Sequence, residues 1–218
     1  MKNYRESLWR LIILFVGLTI AHLGVTMFLL TDLGADPFNV LVQGLFKSLS
    51  GLTGWAFLTH GRVHIAVCFV IIIVLLIVDR SYIKLGTVVC MVFGGPIIDF
   101  FTLLLSPIFE AVGSLPVMYL LLALGCIILA YGMTIVIKSN AGTGPNDLVA
   151  VVISEKLGKK FSIIRVIVDI SFVLLGMLMG GVFGSGTLVC AFLVGPVAGL
   201  FLPINERFID KALKALGV

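Results

Sequence analysis

The sequence contains few charged residues, because Asp, Glu, Lys and Arg together occupy only 12% of its 218 positions. A soluble domain usually has about a quarter of its residues charged, since its water-exposed surface must be polar. Hydrophobic residues make up 60% of the chain. The composition therefore excludes an ordinary water-soluble domain and predicts a protein whose main surroundings are lipid.

Recognisable catalytic, cofactor and metal motifs are also absent from the sequence, which has no Walker A loop and no HExxH or GxSxG motif. The four cysteines have no CxxC spacing, and each lies within an apolar run, where we expect it to serve as a packing residue. The aromatic residues are dispersed, and the basic residues lie in short segments. We therefore expect no enzyme, no cofactor, no metal site and no nucleic-acid partner.

Six apolar runs are long enough, with their flanking residues, to cross a bilayer as helices of roughly 20 residues. They cover approximately residues 11–30, 63–78, 86–105, 115–137, 161–183 and 186–204. The second run is the shortest and needs its flanking residues to reach that length. The pattern predicts an all-α membrane protein with six transmembrane helices.

The basic residues predict the orientation of these six helices. If the N-terminus lies in the cytoplasm, only Lys47 and Arg62 of the 15 Lys and Arg residues lie outside. Positive residues collect on the cytoplasmic side of membrane proteins, so the opposite orientation is strongly disfavoured. We expect a multi-pass protein of the cell inner (cytoplasmic) membrane with both termini in the cytoplasm.

Two shorter apolar segments lie between the predicted spans, at residues 37–50 (PFNVLVQGLFKSLS) and 145–157 (PNDLVAVVISEKL). Each follows a Gly-x-x-Pro pattern and is too short to cross the membrane. Segments of about 10–14 residues are typical of re-entrant or interfacial helices. If both crossed the bilayer, Arg80, Lys84 and Lys138 would lie outside. The sequence therefore predicts two half-helices.

The chain contains an internal repeat. With an offset of 108 residues, GLTIAHLGVTMFLLTDLGADPFN from Gly17 aligns with GCIILAYGMTIVIKSNAGTGPND from Gly125. With an offset of 100, LGTVVCMVFGGP from Leu85 aligns with SGTLVCAFLVGP from Ser185. We interpret residues 1–110 and 111–218 as two membrane repeats. Each has three spans, an odd number, so the second repeat is inverted relative to the first.

The predicted half-helices supply candidate substrate-binding residues. A helix that begins inside the membrane presents unpaired backbone N–H groups and a partial positive charge. Asp36 is placed to cap a helix that begins at Pro37, and Gly144 precedes Pro145 in the same way. The candidates are Asp36, Asn39, Gln43, Gly144, Asn146 and Asp147. The alternatives are that these residues only cap the helices, and that the two segments lie flat at the interface.

Ionisable residues within the predicted spans are the candidates for ion coupling, because charge at membrane depth is costly. His22 and Asp99 lie within the first and third spans. A neutral His22 bonded between helices, or an Asp99 tolerated near the outer surface, is the alternative. Arg165 and Asp169 are four residues apart on the fifth span, a spacing that predicts an intramembrane ion pair.

The segments LGADPFNVL after the first span, LGT leading into GGPIID, and AGTGPND in the second half carry a family resemblance. In these segments and their order, the chain resembles the YczE/YyaS/YitT family of bacterial integral membrane proteins. The resemblance covers nearly the whole chain and implies a membrane protein. It implies no reaction and transfers no catalytic residue.

Inverted repeats with paired half-helices are typical of transporters whose site lies near the midplane. The sequence therefore predicts a small secondary transporter or permease for a small solute, embedded in the lipid bilayer and potentially a homodimer. One alternative is a substrate-binding membrane subunit of a larger ATP-driven transporter. Another is a non-transporting membrane scaffold or regulator.

Overall fold

The computed structural model describes residues 2–55, 58 and 60–217. This part of the chain forms eight α-helices and one short 3-10 helix at Arg80–Tyr82, without a strand. The α-helices are α1 (Lys2–Leu30), α2 (Pro37–Thr53), α3 (His60–Val78), α4 (Leu85–Glu110), α5 (Leu115–Ser139), α6 (Pro145–Leu157), α7 (Phe161–Leu178) and α8 (Ser185–Ala215). The prediction of an all-helical fold is confirmed.

Five of these helices, α1, α4, α5, α7 and α8, are long and apolar enough to cross a membrane. Helix α3 is also apolar, but its stretch at Arg62–Val78 is shorter. Helices α2 and α6 coincide with the two segments predicted to be too short to span. The protein therefore has at least five candidate membrane helices, and the sixth span stays a prediction.

Two helix ends differ from the apolar runs. The fifth run was expected to continue to residue 183, but α7 ends at Leu178 because Gly180 adopts a positive φ of 84°. The N–H of Gly181 then bonds to the carbonyl of Gly176 at 2.7 Å and closes the helix. Helix α8 continues beyond its apolar run to Ala215, since Ile209 and Leu213 keep one face of this end buried.

Helices α1 and α5 form the centre of the molecule, with α4 packed against α1 and α8 packed against α5. Their close approach depends on glycine. A Cβ atom at Gly24 would overlap the backbone of Gly125, and one at Gly132 would overlap the backbone of Gly17. Small residues allow membrane helices to pack backbone to backbone, so both positions fix the contact between α1 and α5.

Two backbone hydrogen bonds join the halves of the chain reciprocally. The N–H of Gly86 donates to the carbonyl of Ala141 at 2.8 Å, and the N–H of Gly186 donates to the carbonyl of Leu33 at 2.9 Å. Gly86 aligns with Gly186 at the offset of 100, and Leu33 aligns with Ala141 at the offset of 108. The start of α4 is therefore bonded to the loop before α6, and the start of α8 is bonded to the loop before α2.

The loops that precede α2 and α6 have matching backbone geometry. Asp32 and Asn140 are the two non-glycine residues with positive φ in the described part of the chain, at 53° and 57°. Gly34 and Gly142 adopt φ values of 142° and 136°, which only glycine adopts readily. Each pair is related by the offset of 108, so equivalent residues make the same turn in both halves.

Helices α2 and α6 pack against opposite ends of α3. Phe38 and Val42 of α2 pack with Val63 and Cys68 near the start of α3. Near the end of α3, Leu75 packs instead with α6, through Leu148, Val151 and Val152. The two short helices therefore approach the same long helix from opposite directions.

Helices α2 and α6 also pack against different parts of α7, but here α6 lies near the start of the helix and α2 near its end. Ala150 of α6 packs with Ile164 and Val168 in the first half of α7. Gly44 of α2 faces Gly176 near the end of α7, at a distance that leaves no room for a Cβ atom. Helix α6 therefore packs against the first half of α7, and α2 packs against its second half.

Candidate functional site

The start of α2 is capped by its own sequence, as expected for Asp36 before Pro37. The carboxylate of Asp36 accepts a hydrogen bond from the backbone N–H of Asn39 at 3.2 Å. The side-chain amide of Asn39 donates to the second oxygen of Asp36 at 2.6 Å. Because a carboxylate already occupies this helix terminus, the partial positive charge of α2 is compensated within the chain.

The start of α6 is built differently. Gly144 is the N-cap residue and has no side chain that could accept from the first turn. The carboxylate is instead supplied by Asp147 within the first turn, and the side-chain amide of Asn146 donates to it at 3.2 Å. Helices α2 and α6 therefore both begin with a carboxylate and a neighbouring amide, in a different order.

Arg165 joins α6 to α7 through two charged hydrogen bonds. Its Nη1 donates to Oδ1 of Asp147 at 2.5 Å, and its Nε donates to Oδ2 of Asp169 at 2.9 Å. Arg165 is 7% exposed and Asp169 is 1% exposed. We refer to Asp147, Arg165 and Asp169 as the Arg165 network. The spacing of Arg165 and Asp169 indicated their pairing, whereas no sequence signal linked Asp147 to Arg165.

The second oxygen of Asp169, Oδ1, is buried without a hydrogen-bond partner in the described part of the chain. The carboxylates of Asp36 and Asp147 are both close enough to act electrostatically on Asp169. The beginnings of α2 and α6 therefore meet around Asp169, the ninth of the 18 residues of α7. This arrangement places two further carboxylates within electrostatic reach of the Asp169 carboxylate.

Gln43, another candidate, lies one turn farther along α2 and outside the Arg165 network. Its side-chain oxygen accepts from the N–H of Val182 at 3.4 Å. In the next turn, the hydroxyl of Ser48 donates to the carbonyl of Met179 at 2.9 Å. These two bonds hold α2 to the connection between α7 and α8.

The end of α6 makes the equivalent contacts with the connection between α3 and α4. Lys156 lies 3.5 Å from Asp79 in an ion pair, and the hydroxyl of Tyr82 donates to Glu155. This hydrogen bond to Glu155 raises the pKa of Tyr82 to about 12. Ser48 and Lys156 are related by the offset of 108. The contacts are neutral at the α2 end and charged at the α6 end.

A cavity of about 370 Å³ lies beside the charged contacts of α6. It is lined by residues of α5, α6 and the segments that precede α4 and α6, including Tyr82, Lys84, Asn140, Thr143, Leu148 and Glu155. Leu148 follows Asp147 directly, so the cavity extends along α6 from its end toward the first turn.

The two ion-coupling candidates occupy different surroundings. His22 is half-buried, and its Nδ1 donates to the carbonyl of Leu18 at 2.8 Å, within α1 rather than between helices. Its other nitrogen faces Gly94 of α4, and Asp147 is close enough to act on it electrostatically. Asp99 is exposed on α4, and no bond within the described ranges joins it to the Arg165 network.

A family model described as "Family of unknown function (DUF6198)" matches residues 8–203. The uncharacterized membrane protein YczE of Bacillus subtilis (strain 168) is 27% identical over 210 residues, which cover 96% of this chain and 93% of that relative. An uncharacterized protein of Haemophilus influenzae (strain ATCC 51907 / DSM 11121 / KW20 / Rd) is 28% identical, with 89% and 84% covered.

The uncharacterized protein YyaS of Bacillus subtilis (strain 168) is 25% identical over 198 residues, covering 90% of this chain and 94% of that relative. No solved structure matches the chain significantly. The resemblance to YczE and YyaS that the Gly- and Pro-rich segments indicated is therefore confirmed. YczE is described as a membrane protein, in agreement with the apolar helices of this chain.

Proposed function

The chain belongs to the DUF6198 family, and we propose that it is a small secondary transporter that moves a small solute across the cell inner membrane. The observation that carries this proposal is the Arg165 network, a buried charged group in a protein made of apolar helices. Charge within a membrane protein is costly and by default indicates a pathway or binding site.

Six spans in two inverted repeats are the architecture that we propose for this transporter, with α3 as the sixth span and both termini in the cytoplasm. The reciprocal bonds of Gly86 and Gly186 support it, because each half uses equivalent atoms to bind the other half. The matched turns before α2 and α6 support it independently. An inverted repeat also accounts for α2 and α6 approaching α3 and α7 from opposite ends.

The solute site in this proposal lies around the first turns of α2 and α6, near the middle of α7. Asn39 and Asn146 there carry side-chain amides that donate to Asp36 and Asp147, and we expect them to donate to a bound solute as well. Asp36 and Asp147 already compensate the two helix termini, which disfavours a second negative group at the same place. These surroundings favour a neutral or cationic solute over an anion.

Two sets of contacts are the candidate gates in this proposal. The bonds of Gln43 and Ser48 close the end of α2, and those of Glu155 and Lys156 close the end of α6. Breaking one set while keeping the other would expose the central site to one side of the membrane. Neither set contains a fully buried ion pair, so each can open at modest cost.

A non-transporting scaffold or regulator is the second candidate function. The observation in its favour is that the charges of Arg165, Asp36 and Asp147 are all bound by other groups of the same chain. In a scaffold these bonds only hold α2, α6 and α7 together. The two functions differ in whether Asn39 and Asn146 contact anything besides the protein.

A thermal-shift screen of the purified protein tests these functions with a library of metabolites, vitamins, amines and inorganic ions. A compound present at a hundredfold excess over its Kd stabilises the folded state by roughly 2.7 kcal/mol. We expect a selective shift that disappears in N39A and N146A and persists in the control T19A, because the Thr19 hydroxyl donates to the carbonyl of Phe15 within α1. The same compound, radiolabelled, should accumulate in proteoliposomes. Binding without accumulation would contradict transport.

A further inference from the structure

The carboxylate of Asp169 uses only one of its two oxygens. Oδ2 accepts from Nε of Arg165 at 2.9 Å, whereas Oδ1 is buried and has no partner among the described residues. The residue is 1% exposed. A charged oxygen buried without a hydrogen bond is destabilising by more than a neutral one, so this atom is placed to bind something.

The titratable groups that face Asp169 come from four helices. Arg165 lies on its own helix, Asp147 on α6 and Asp36 at the start of α2, while the thiol of Cys190 faces it from α8. His22 of α1 lies near Asp147. With all three carboxylates ionised, the surroundings of Asp169 combine three negative charges with the one positive charge of Arg165. The surplus of negative charge favours a positively charged ligand.

The identity of this ligand follows from what each cation requires. A metal ion such as Ca²⁺ or Mg²⁺ needs six or more oxygen ligands, several of them usually carboxylates. Within the described ranges, no group of three His, Cys, Asp or Glu side chains could hold a metal ion. A proton needs one lone pair and no coordination shell, and Oδ1 of Asp169 supplies that lone pair.

We propose that Asp169 is a proton-binding site, which takes up a proton from water at Oδ1 and becomes a neutral carboxylic acid. One O–H bond forms and no electrons are transferred. The neutral acid attracts Arg165 less strongly, so the guanidinium is then held mainly by Asp147 of α6. Protonation therefore changes how α6 is bound to α7.

Proton binding by Asp169 does not depend on transport, but its use in coupling rests on the proposed function. Each proton that binds from one side and leaves to the other would drive solute movement through the changed link between α6 and α7. In this proposal, the residue that couples ion movement to transport is Asp169 of the Arg165 network. The sequence had indicated His22 and Asp99 for that role.

Infrared difference spectroscopy of the protein in lipid, titrated across pH, detects the C=O stretch of a protonated carboxyl group. We expect a band that titrates in the unmodified protein, is absent in D169N, is shifted in D169E and persists in the exposed control D99N. The D169E variant keeps the test decisive if D169N does not fold. Persistence of the band in D169N, or an unshifted band in D169E, would overturn the proposal.

Solute uptake in proteoliposomes separates this proposal from the proposed function. A titrating Asp169 band in a protein that accumulates no solute would contradict transport and leave proton binding standing. Solute accumulation that is the same with and without a proton gradient, together with no Asp169 band, would contradict proton binding and leave transport standing.

Discussion

Nη1 of Arg165 lies 2.5 Å from Oδ1 of Asp147, although the two residues are 18 positions apart on different helices. The same guanidinium binds Asp169, one turn along α7. Arg165 thus binds both the short helix α6 and its own helix α7, a candidate membrane span. Its removal should affect both stability and the position of α6.

Replacing Arg165 with methionine should destabilise the protein by about 3–5 kcal/mol, because it leaves two carboxylates without their cation. Unfolding in mixed detergent, followed by circular dichroism, measures the change. The control R207A, at an exposed position of α8, should change stability by no more than about 0.5 kcal/mol.

The double variant R165M/D169L should regain part of the loss, since apolar residues can replace a buried ion pair at little cost. A coupling energy close to zero between the two positions would show that the ion pair does not contribute. The prediction fails equally if R165M alone is as stable as R207A.

Asp36 should contribute to stability as a helix cap and separately as a charge. D36A removes the acceptor for the N–H of Asn39 and should cost about 1 kcal/mol. D36N keeps an acceptor oxygen and should recover most of that stability. If D36A and D36N melt at the same reduced temperature, the charge rather than the cap is responsible.

Local features of the site were predictable from the sequence because they depend on short spacings. The Asp-Pro pair at residues 36 and 37 predicts a capped helix start, and the spacing of Arg165 and Asp169 predicts a shared helix face. The bond between Arg165 and Asp147 depends on how α6 packs on α7. No local pattern carries that information.

The limits of the apolar runs explain the other differences between sequence and structure. Hydropathy does not register that Gly180 adopts a positive φ, so it placed the end of α7 too late. It also does not distinguish a residue that faces the protein from one that faces outward. Asp99 stays a candidate for ion coupling, and its exposed position on α4 could not be predicted from hydropathy.

Gly24 should tolerate no side chain, because a Cβ atom there would overlap the backbone of α5. We expect G24A to destabilise the protein by about 1–3 kcal/mol through overpacking. G95A is the matched control, since a Cβ atom at Gly95 of α4 meets no atom within 4 Å. Equal melting temperatures for the two variants would contradict the close contact between α1 and α5.

The hydrogen bond from Tyr82 to Glu155 should produce a pH dependence at alkaline pH. The folded-state pKa of Tyr82 is raised to about 12 from its ordinary value of 10.0. The bond therefore contributes stability that is fully present below pH 10.0 and is lost as the pH rises toward about 12. The difference in melting temperature between the unmodified protein and Y82F should shrink over that interval. A constant difference would contradict the bond.

In the proposed inverted repeat, α2 and α6 enter the membrane from opposite sides. Labelling of K47C and K159C with a membrane-impermeant maleimide tests this orientation most directly. Lys47 lies on α2 and Lys159 lies two residues after the end of α6, both exposed, whereas the four native cysteines are buried. In spheroplasts, K47C should react with the maleimide directly, and K159C should react only after the inner membrane is permeabilised. Reaction of both cysteines from the same side would contradict the inverted repeat and the transport site built on it.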